Sequence, residues 1–292
     1  MEIRTLNYFL AVAREENITN AAKSLNITQP TLSRQMQQLE IELNVKLFEK
    51  VERKMKLTNE GMILKRRAQE IVTLADKTVT EVSHRESDLD GEIAIGCGEL
   101  KSTDLLSKMI VKFHQQHPKV TFDIFSGNTT NIRNRMDQGM LDIGLFLNPV
   151  DVEKYDFVRM NVDETWCVCV RNDSILANKD YIRPEDLEDQ LVMLPGRENV
   201  NHELINWLGK SSENINNVVN YNLIYNDVKL VQNGMGVLIC LKLDANYDNV
   251  KFIPLKDAPV LHSVLAWHSG QVFTPTITAF IEFIKNYLAE IE

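Results

Sequence analysis

The sequence has few cysteines and no long hydrophobic run. These two features limit the classes of protein to which the chain can belong. Four cysteines among 292 residues are too few and too scattered for the disulfide framework of a small secreted protein. No segment approaches the roughly 18 consecutive apolar residues of a membrane-spanning helix. The first residues are polar and lack the basic-then-apolar pattern of a secretion signal. We therefore expect a cytoplasmic protein that does not insert into a membrane.

The sequence also lacks the motifs of catalysis and metal binding. Its six histidines are scattered, and none stands at metal-ligand spacing beside a cysteine. No motif frames a nucleophilic serine or cysteine. The Gly234-Met235-Gly236 stretch follows a predicted helix and precedes a strand, which reverses the order of a dinucleotide-binding loop. We therefore predict a protein that is not an enzyme and that has neither a metal nor a cofactor.

The net charge of −9 is unevenly distributed along the chain. Residues 1–90 carry 14 basic and 14 acidic residues, whereas residues 91–292 carry 18 and 27. Residues 46–67 hold eight basic residues against three acidic ones. Because contact with phosphate requires local positive charge, this segment suits a nucleic-acid partner. The acidic remainder suits solvent, other subunits or a small ligand.

Residues 18–39 are predicted to form a helix-turn-helix. Small or apolar residues stand where two crossing helices must approach closely. These are Ala21, Ala22, Leu25, Ile27 and Leu32. Asn26 falls at the turn, where a left-handed backbone conformation is tolerated well by Asn. Thr28 is suited to cap the second helix, and Pro30 fits its first turn, where a missing N–H costs nothing.

The second of these helices is predicted to have two faces. An inward stripe at 4-3-4 spacing consists of Leu32, Met36, Leu39 and Leu43. At about 100° per residue, the opposite face carries Pro30, Ser33, Arg34 and Gln37. In the major groove arginine can pair with guanine, and glutamine with adenine. We therefore predict that this helix recognises DNA, with the solvated face of an ordinary helix as the alternative.

A basic turn follows the helix-turn-helix. Residues 47–48 and 56–57 bracket Arg53 and Lys54, which predicts two short strands with a basic wing between them. Such a wing can contact the DNA backbone or the minor groove. A plain solvated loop is the alternative.

Residues 59–87 predict a long helix with a narrow apolar seam. The seam repeats at 4-3-4-3-4 spacing through Leu64, Ala68, Ile71, Ala75, Thr78 and Val82. Because a narrow stripe needs a partner helix to bury it, we interpret these residues, Thr78 excepted, as dimerisation contacts. A dimer would also link two half-sites and strengthen a weak single-site affinity. The alternative is that the helix packs on its own DNA-binding domain.

Beyond residue 90, strands and helices alternate, which predicts an α/β domain. Strands at 92–96, 120–125 and 142–146 with helices at 103–117 and 131–139 form a βαβαβ unit with a parallel sheet. A second set has strands at 166–170, 191–194, 218–223, 237–240, 252–255 and 263–267, with helices at 202–208, 227–233 and 276–291. We therefore expect two α/β lobes with a cleft between them.

The N-terminal motifs together resemble the LysR-type transcriptional regulators. The resemblance is carried by NYF at 7–9, AVA at 11–13, AA at 21–22, TQPTLSRQ at 28–35, QLE at 38–40, LFE at 47–49, LT at 57–58 and Gly61. These motifs are dense over residues 1–65, and the rest of the chain is similar in layout. The resemblance implies an N-terminal all-α winged helix-turn-helix, a long linker helix, and an α/β two-lobed effector domain resembling type 2 periplasmic binding proteins.

The resemblance also implies boundaries and partners. The DNA-binding domain would span 1–58, the dimerisation helix 59–90, and the effector domain 91–292, with lobe I at 91–162 and 264–292 and lobe II at 163–263. It implies a homodimer, commonly a homotetramer, that binds double-stranded operator DNA and a small-molecule effector, with RNA polymerase as a further candidate partner. The predicted DNA contacts are Thr28, Gln29, Pro30, Thr31, Ser33, Arg34, Gln37, Arg53 and Lys54.

A cleft between α/β lobes binds ligands at the carboxyl ends of strands and at helix N-termini. The predicted effector contacts are Gly98, Ser102, Thr103, Asn128, Thr129, Thr130, Asn199 and Asp227. Free N–H groups and hydroxyls in these loops suit an anionic or carboxylate-bearing effector. Asp227 disfavours an anion, so a neutral or mixed-charge ligand stays open. The alternative is that these residues only cap helices.

Two other classes of protein stay open. One is a solute-binding protein or an enzyme on the same two-lobed fold, which the missing secretion signal and catalytic motif disfavour. The other is a redox regulator, whose candidate residues are Cys97, Cys167, Cys169 and Cys240. Because neighbours along one strand make poor disulfide partners, we favour a buried structural role for the two cysteines at 167 and 169.

Overall fold

The computed structural model describes residues 1–51, 54–82, 89–148, 151, 153–196 and 198–291, without the side chains of residues 77, 80–82 and 198–202. The chain divides into two compact units, Met1–Arg85 and Glu86–Glu292, and each has its own hydrophobic core. Within the described segments, no helix is both long enough and apolar enough to cross a membrane.

The first unit is built on a central helix. Its elements are α1 (Ile3–Glu15), α2 (Ile18–Ser24), α3 (Gln29–Leu43), β1 (Phe48–Val51), β2 (Lys54–Leu57) and α4 (Asn59–Val82). Helix α1 contacts α2, α3 and α4, and β1 pairs antiparallel with β2. The predicted helix-turn-helix and the two short strands are confirmed, and so is the long helix as far as residue 82.

The start of α4 is locked against the segment that leads into β1. Thr58 caps α4, since its hydroxyl accepts a hydrogen bond from Gly61 N at 3.0 Å and donates one to Lys46 O at 2.7 Å. A Cβ atom at Gly61 would lie 2.2 Å from the Leu47 carbonyl oxygen. Glycine is therefore required here by the close approach of two backbones.

The second unit contains two five-stranded sheets. Its strands are β3 (Gly91–Cys97), β4 (Val120–Ser126), β5 (Ile143–Leu147), β6 (Tyr155–Glu164), β7 (Trp166–Arg171), β8 (Leu191–Pro195), β9 (Asn216–Tyr221), β10 (Val237–Leu241), β11 (Val250–Pro254) and β12 (Leu261–His268). Its helices are α5 (Thr103–Gln116), α6 (Thr129–Asp137), α7 (Glu198–Leu208), α8 (Ile224–Gln232) and α9 (Pro275–Ile291), with 3-10 turns at Ile175–Asn178, Pro184–Leu187 and Gly209–Asn214.

Each sheet organises one lobe. In lobe I the strand order is β4-β3-β5-β12-β6, with β3, β4 and β5 parallel and β12 antiparallel to both of its neighbours. In lobe II the order is β11-β7-β10-β8-β9, with β8, β9 and β10 parallel and β7 antiparallel to β10 and β11. The chain passes between the sheets from β6 to β7 and from β11 to β12. The expected pair of α/β lobes is confirmed.

Several elements of this unit depart from the sequence prediction, and two of these departures have a local reason. Strand β6 is unpredicted because it is an edge strand, and its buried positions, Tyr155, Met160 and Glu164, do not alternate regularly. Helix α8 begins at Ile224 instead of residue 227, so Asp227 lies in its first turn. The residue before it, Leu223, provides no capping side chain, and the local start signal is therefore absent.

Candidate DNA-binding surface and effector cleft

The turn between α2 and α3 has the predicted local chemistry. Asn17 caps α2 by accepting hydrogen bonds from the N–H groups of Thr19 and Asn20 at 2.9 and 3.1 Å. Asn26 adopts φ +54°, as predicted for a left-handed turn residue. The Thr28 hydroxyl accepts a hydrogen bond from Thr31 N at 3.4 Å and caps α3. These bonds fix the direction in which α3 leaves the turn.

Helix α3 has one buried face and one exposed face, as predicted. Leu32, Met36 and Leu39 are buried in the core of the first unit. The predicted DNA contacts on this helix and its cap are exposed, with Ser33 half-buried: Thr28, Gln29, Pro30, Thr31, Arg34 and Gln37. Among the ion pairs of described residues, none involves Arg34. Its guanidinium is therefore not engaged by a carboxylate of that part of the chain.

In the wing, a predicted basic DNA contact forms an ion pair within the chain. Lys54 Nζ pairs with Glu16 Oε2 at 3.0 Å, and this hydrogen bond and charge lower the pKa of the Glu16 carboxyl. Lys54 is therefore partly neutralised at the end of α1, while Arg53 lies outside the described residues. Lys50 and Lys56 are exposed on β1 and β2 and were not singled out from the sequence, although both fall in the basic segment 46–67.

Glu40 ties the recognition helix to the wing. Its carboxylate accepts hydrogen bonds from Lys46 Nζ at 2.7 Å, Leu47 N at 2.9 Å and Phe48 N at 3.3 Å. Burial raises the pKa of Glu40, but these hydrogen bonds outweigh burial and hold the pKa below its ordinary value. The residue fixes the angle between α3 and the hairpin, a role that the sequence did not reveal.

The predicted dimerisation seam on α4 is split in two. Ala68 is fully buried, and Leu64 packs against the same core, so both contact their own chain. This corrects the predicted role of Ala68, because a fully buried side chain cannot contact a second copy, whereas Leu64 is only half-buried and its dimerisation role stays a prediction. Among the described side chains of α4, the exposed apolar ones are Met62, Ile63, Ile71, Leu74 and Val79, of which Ile71 belongs to the predicted seam. Ala75 is half-buried, and the side chain of Val82 lies outside the described set.

A glutamate of the same lobe binds the turn that leads into α5. Glu164, which is fully buried at the end of β6, accepts hydrogen bonds from Lys101 N at 2.8 Å and Ser102 N at 3.0 Å. The Ser102 side chain is buried as well, and Thr103 Oγ1 donates to Gly98 O at 3.3 Å. The Ser102 amide therefore already binds a carboxylate of the chain, and the role of Ser102 as an effector contact stays a prediction.

The N-terminus of α6 is capped in the ordinary way. Asn128 Oδ1 accepts a hydrogen bond from Asn131 N at 2.9 Å. Neither cavity of this unit described below is lined by Asn128, Thr129 or Thr130. The capping alternative therefore accounts for Asn128, and the predicted effector contact is not supported for these three residues.

Two neighbouring cavities lie where lobe I meets lobe II. The inner cavity measures about 40 Å³ and is lined by Glu99, Leu100, Leu147, Trp166, Pro195, Tyr221, Asn222, Ile224 and Leu241. The outer cavity measures about 360 Å³ and includes the predicted Gly98 and Thr103, together with Ser126 and Asp244. Glu99 and Leu100 belong to both walls. Asp227 lines neither cavity, and the side chain of Asn199 lies outside the described set.

Glu99 bridges the two lobes. The first amide of α8, Ile224 N, donates a hydrogen bond to Glu99 Oε2, so this carboxylate of lobe I caps a helix of lobe II. Asp227 is buried in the same first turn, where burial and then the charge of Glu99 raise its pKa. Sequence reasoning missed Glu99, and its position directly after Gly98 in the predicted ligand loop was the only signal.

The cysteines are buried, as the structural interpretation requires. Cys167 and Cys240 face each other on β7 and β10, with their sulfur atoms 3.8 Å apart. Burial raises the pKa of Cys97 to about 12, and burial followed by the charge of Cys167 raises that of Cys169 to about 12. Because the thiolate is the reactive form, these values disfavour the alternative of a redox regulator.

Comparison with protein families covers most of the chain. A family described as "Bacterial regulatory helix-turn-helix protein, lysR family" matches residues 3–62, and the "LysR substrate binding domain" matches residues 86–289. The regulator BsdA of Bacillus subtilis is 32% identical over 174 residues, which span 59% of each protein. The regulator YbhD of Escherichia coli is 30% identical, and the match covers 64% of this chain and 58% of YbhD.

Other relatives match over nearly their whole length. The Hca operon transcriptional activator HcaR of Escherichia coli is 27% identical over 297 residues, covering 100% of this chain and 99% of HcaR. The structure of full-length CbnR with its target DNA superposes with a TM-score of 0.73 at 20% identity, covering 98% and 99% of the two chains. Full-length BenM superposes with a TM-score of 0.54 at 26% identity, covering 99% and 97%.

Proposed function

The chain belongs to the LysR family of transcriptional regulators, and we propose that it binds operator DNA through α3 and its wing in response to a small molecule held between its lobes. We assign residues 1–58 to DNA binding, 59–90 to dimerisation and 91–292 to effector binding, with lobe I at 91–162 and 264–292 and lobe II at 163–263. We propose that it acts in the cytoplasm as a regulator and not as an enzyme, with RNA polymerase as a partner.

One observation carries the DNA-binding proposal. The exposed face of α3 presents Arg34 and Gln37, while its other face is buried in the core of the first unit. Arg34 has no acidic partner among the described residues, so its five N–H donors are available for a guanine edge or a phosphate. The exposed Lys50 and Lys56 on the wing support backbone contact beside the groove.

A dimer is supported by the outer part of α4. Ile71, Leu74 and Val79 are exposed by 39%, 41% and 67%, although each is strongly apolar. We propose that a second copy covers them and that two dimers associate further into a tetramer. A dimer would place two recognition helices on one operator, which doubles the base-reading contacts.

Substitution of Arg34 tests the proposal. An operator fragment would first be selected from random-sequence DNA with the wild-type protein, and affinities would then be measured by fluorescence anisotropy at fixed salt. We expect Arg34→Ala to cost about 1–3 kcal/mol per recognition helix. Two helices that contribute additively would lose about 2–6 kcal/mol, at least a 30-fold weakening.

The matched control is Arg159→Ala, which removes the same side chain and charge from exposed strand β6. It should change operator affinity less than about twofold, because surface substitutions away from a binding face have small effects. Equal affinities of Arg34→Ala and wild type for the selected operator would contradict the assignment of α3. Failure of the wild-type protein to enrich any DNA sequence would contradict the proposed function itself.

A further inference from the structure

The helix N-termini around the cleft already have hydrogen-bond acceptors from side chains of the protein itself. Glu164 accepts from the amides of Lys101 and Ser102 just before α5, Asn128 caps α6, and Glu99 accepts from the first amide of α8. These are the groups that would bind the carboxylate of an anionic effector. A carboxylate ligand would have to displace a glutamate of the chain at α5 or α8, and would meet its negative charge.

Negative charge is concentrated beside the inner cavity. The Glu99 carboxylate lines it, and Asp227 lies buried in the first turn of α8, close enough for the two charges to repel. In the described part of the chain, no basic side chain forms an ion pair with either residue. Asp227 is buried and Glu99 is half-buried, and because buried carboxylates are usually paired, the described residues leave this pair without the cation that would balance it.

A second, independent observation comes from Trp166. This residue lines the inner cavity and is almost fully buried, and its indole Nε1 has no hydrogen-bond partner among the described residues. A buried N–H without an acceptor costs free energy, and such groups usually bind a ligand or a water. The donor requires an acceptor oxygen on whatever fills the cavity.

We propose, on the basis of the proposed function, that the effector of this cleft is a small amine whose ammonium group binds Glu99 beside Asp227 and whose oxygen accepts the Trp166 N–H. Glu99 uses one oxygen for Ile224 and keeps its other oxygen for the ligand. The aromatic rings of Trp166 and Tyr221 line the same space.

The sizes of the two cavities agree with this arrangement. At about 10–15 Å³ for each water-sized group, the inner cavity of about 40 Å³ has room for both the ammonium and the acceptor oxygen, and the outer cavity of about 360 Å³ can take the rest of the ligand. Glu99 and Leu100 stand between them. The outer cavity is lined by the apolar side chains of Leu106, Ile110 and Ile124, which suit a hydrocarbon chain, and also by the charged residues Lys101, Asp104 and Asp244.

A charge-reversed pair of probes tests the proposal on the full-length protein. The probes are 4-aminobutanamide, which carries an ammonium and an amide oxygen, and succinamate, which carries a carboxylate and the same amide. Binding would be followed by thermal shift and by isothermal titration calorimetry. We expect 4-aminobutanamide to raise the melting temperature of the wild type and succinamate to leave it unchanged, because a ligand stabilises only the state that binds it.

Three variants locate the site. Glu99→Gln keeps an acceptor for Ile224 but removes the charge, and it should weaken 4-aminobutanamide binding about tenfold or more. Asp227→Asn should weaken it as well, and Glu185→Gln, the same change on an exposed glutamate, should not. Trp166→Phe should weaken 4-aminobutanamide several-fold but leave butylamine, which has no acceptor, unaffected. Melting without probe reports whether each variant folds.

Several outcomes would overturn the inference. These are tighter binding of succinamate than of 4-aminobutanamide, binding of neither probe, or unchanged binding of the amine by both folded variants, Glu99→Gln and Asp227→Asn. The same protein samples would be titrated with the selected operator. If the protein binds the operator but not 4-aminobutanamide, the ligand class is wrong and the proposed function stands. If the wild-type protein does not bind the operator, the proposed function is wrong.

Discussion

Replacement of Glu40 by Ala should loosen the joint between the recognition helix and the wing. The change removes the acceptor of the Leu47 and Phe48 amides, which lie 2.9 and 3.3 Å from Glu40 Oε1. Leu47 and Phe48 are 1% and 8% exposed, so water has little access to replace the lost acceptor. The side chain of Lys46 is 79% exposed, and its ion pair with Glu40 contributes little.

The expected loss in the free energy of unfolding follows from the two hydrogen bonds that are removed. A buried N–H left without an acceptor costs about 1–3 kcal/mol, and the longer bond to Phe48 lies at the low end of this range. We therefore expect a loss of about 2–4 kcal/mol in the free energy of unfolding of the first unit. Glu40→Gln retains one carbonyl oxygen and should lose roughly half as much.

Hydrogen exchange measured by mass spectrometry is the direct assay. A loss of about 2–4 kcal/mol should speed exchange at the Leu47 and Phe48 amides by roughly 30- to 800-fold. The control is Glu49→Ala, an exposed glutamate on β1, which should leave exchange nearly unchanged. Unchanged protection at residues 47 and 48 in Glu40→Ala would refute the assigned role of this carboxylate.

The pH dependence provides a second check. The folded pKa of Glu40 is lowered, because hydrogen bonds from Lys46, Leu47 and Phe48 outweigh the effect of burial. Its stabilising effect is therefore complete above the unfolded pKa of about 4.3 and is lost as the pH falls through the folded value. The difference in stability between wild type and Glu40→Gln should shrink below about pH 4. A stability difference between wild type and Glu40→Gln that stays constant across this pH range would contradict the lowered pKa of Glu40 in the folded state.

Two further predictions concern α4. Gly61→Ala should lower the melting temperature of the first unit, because its Cβ would meet the Leu47 carbonyl oxygen at 2.2 Å and overpacking costs about 1–3 kcal/mol. The control is Gly98→Ala, because the nearest atom to a Cβ there lies at 3.5 Å. Equal melting temperatures of Gly61→Ala and wild type would count against the close packing. Leu74→Arg should yield monomers in sedimentation velocity without lowering the melting temperature. The control Gln69→Arg, also at an exposed position, should remain dimeric. If Leu74→Arg stays a dimer, the assignment of α4 to the dimer interface is wrong.

The predictable features of the site are those decided by near neighbours in the chain. The faces of α3, the turn at Asn26 and the cap at Thr28 depend on dihedral preferences and hydrogen bonds spanning at most a few residues. The apolar seam on α4 is a feature that near neighbours in the chain do not decide. Its periodicity was visible in the sequence, but the burial of Leu64 and Ala68 depends on where α1 lies against the helix.

The sequence by itself determined the family, the two-faced recognition helix, the basic wing region and the succession of α/β elements. Tertiary structure alone decided which groups cap the helices of the cleft. Glu164 binds the Ser102 amide just before α5 across 62 residues, and Glu99 caps α8 across 125 residues. No local pattern identifies such partners, because a carboxylate is assigned to an amide only when folding brings two distant segments within hydrogen-bond distance. For this reason an effector site expected to attract an anion contains the protein's own carboxylates.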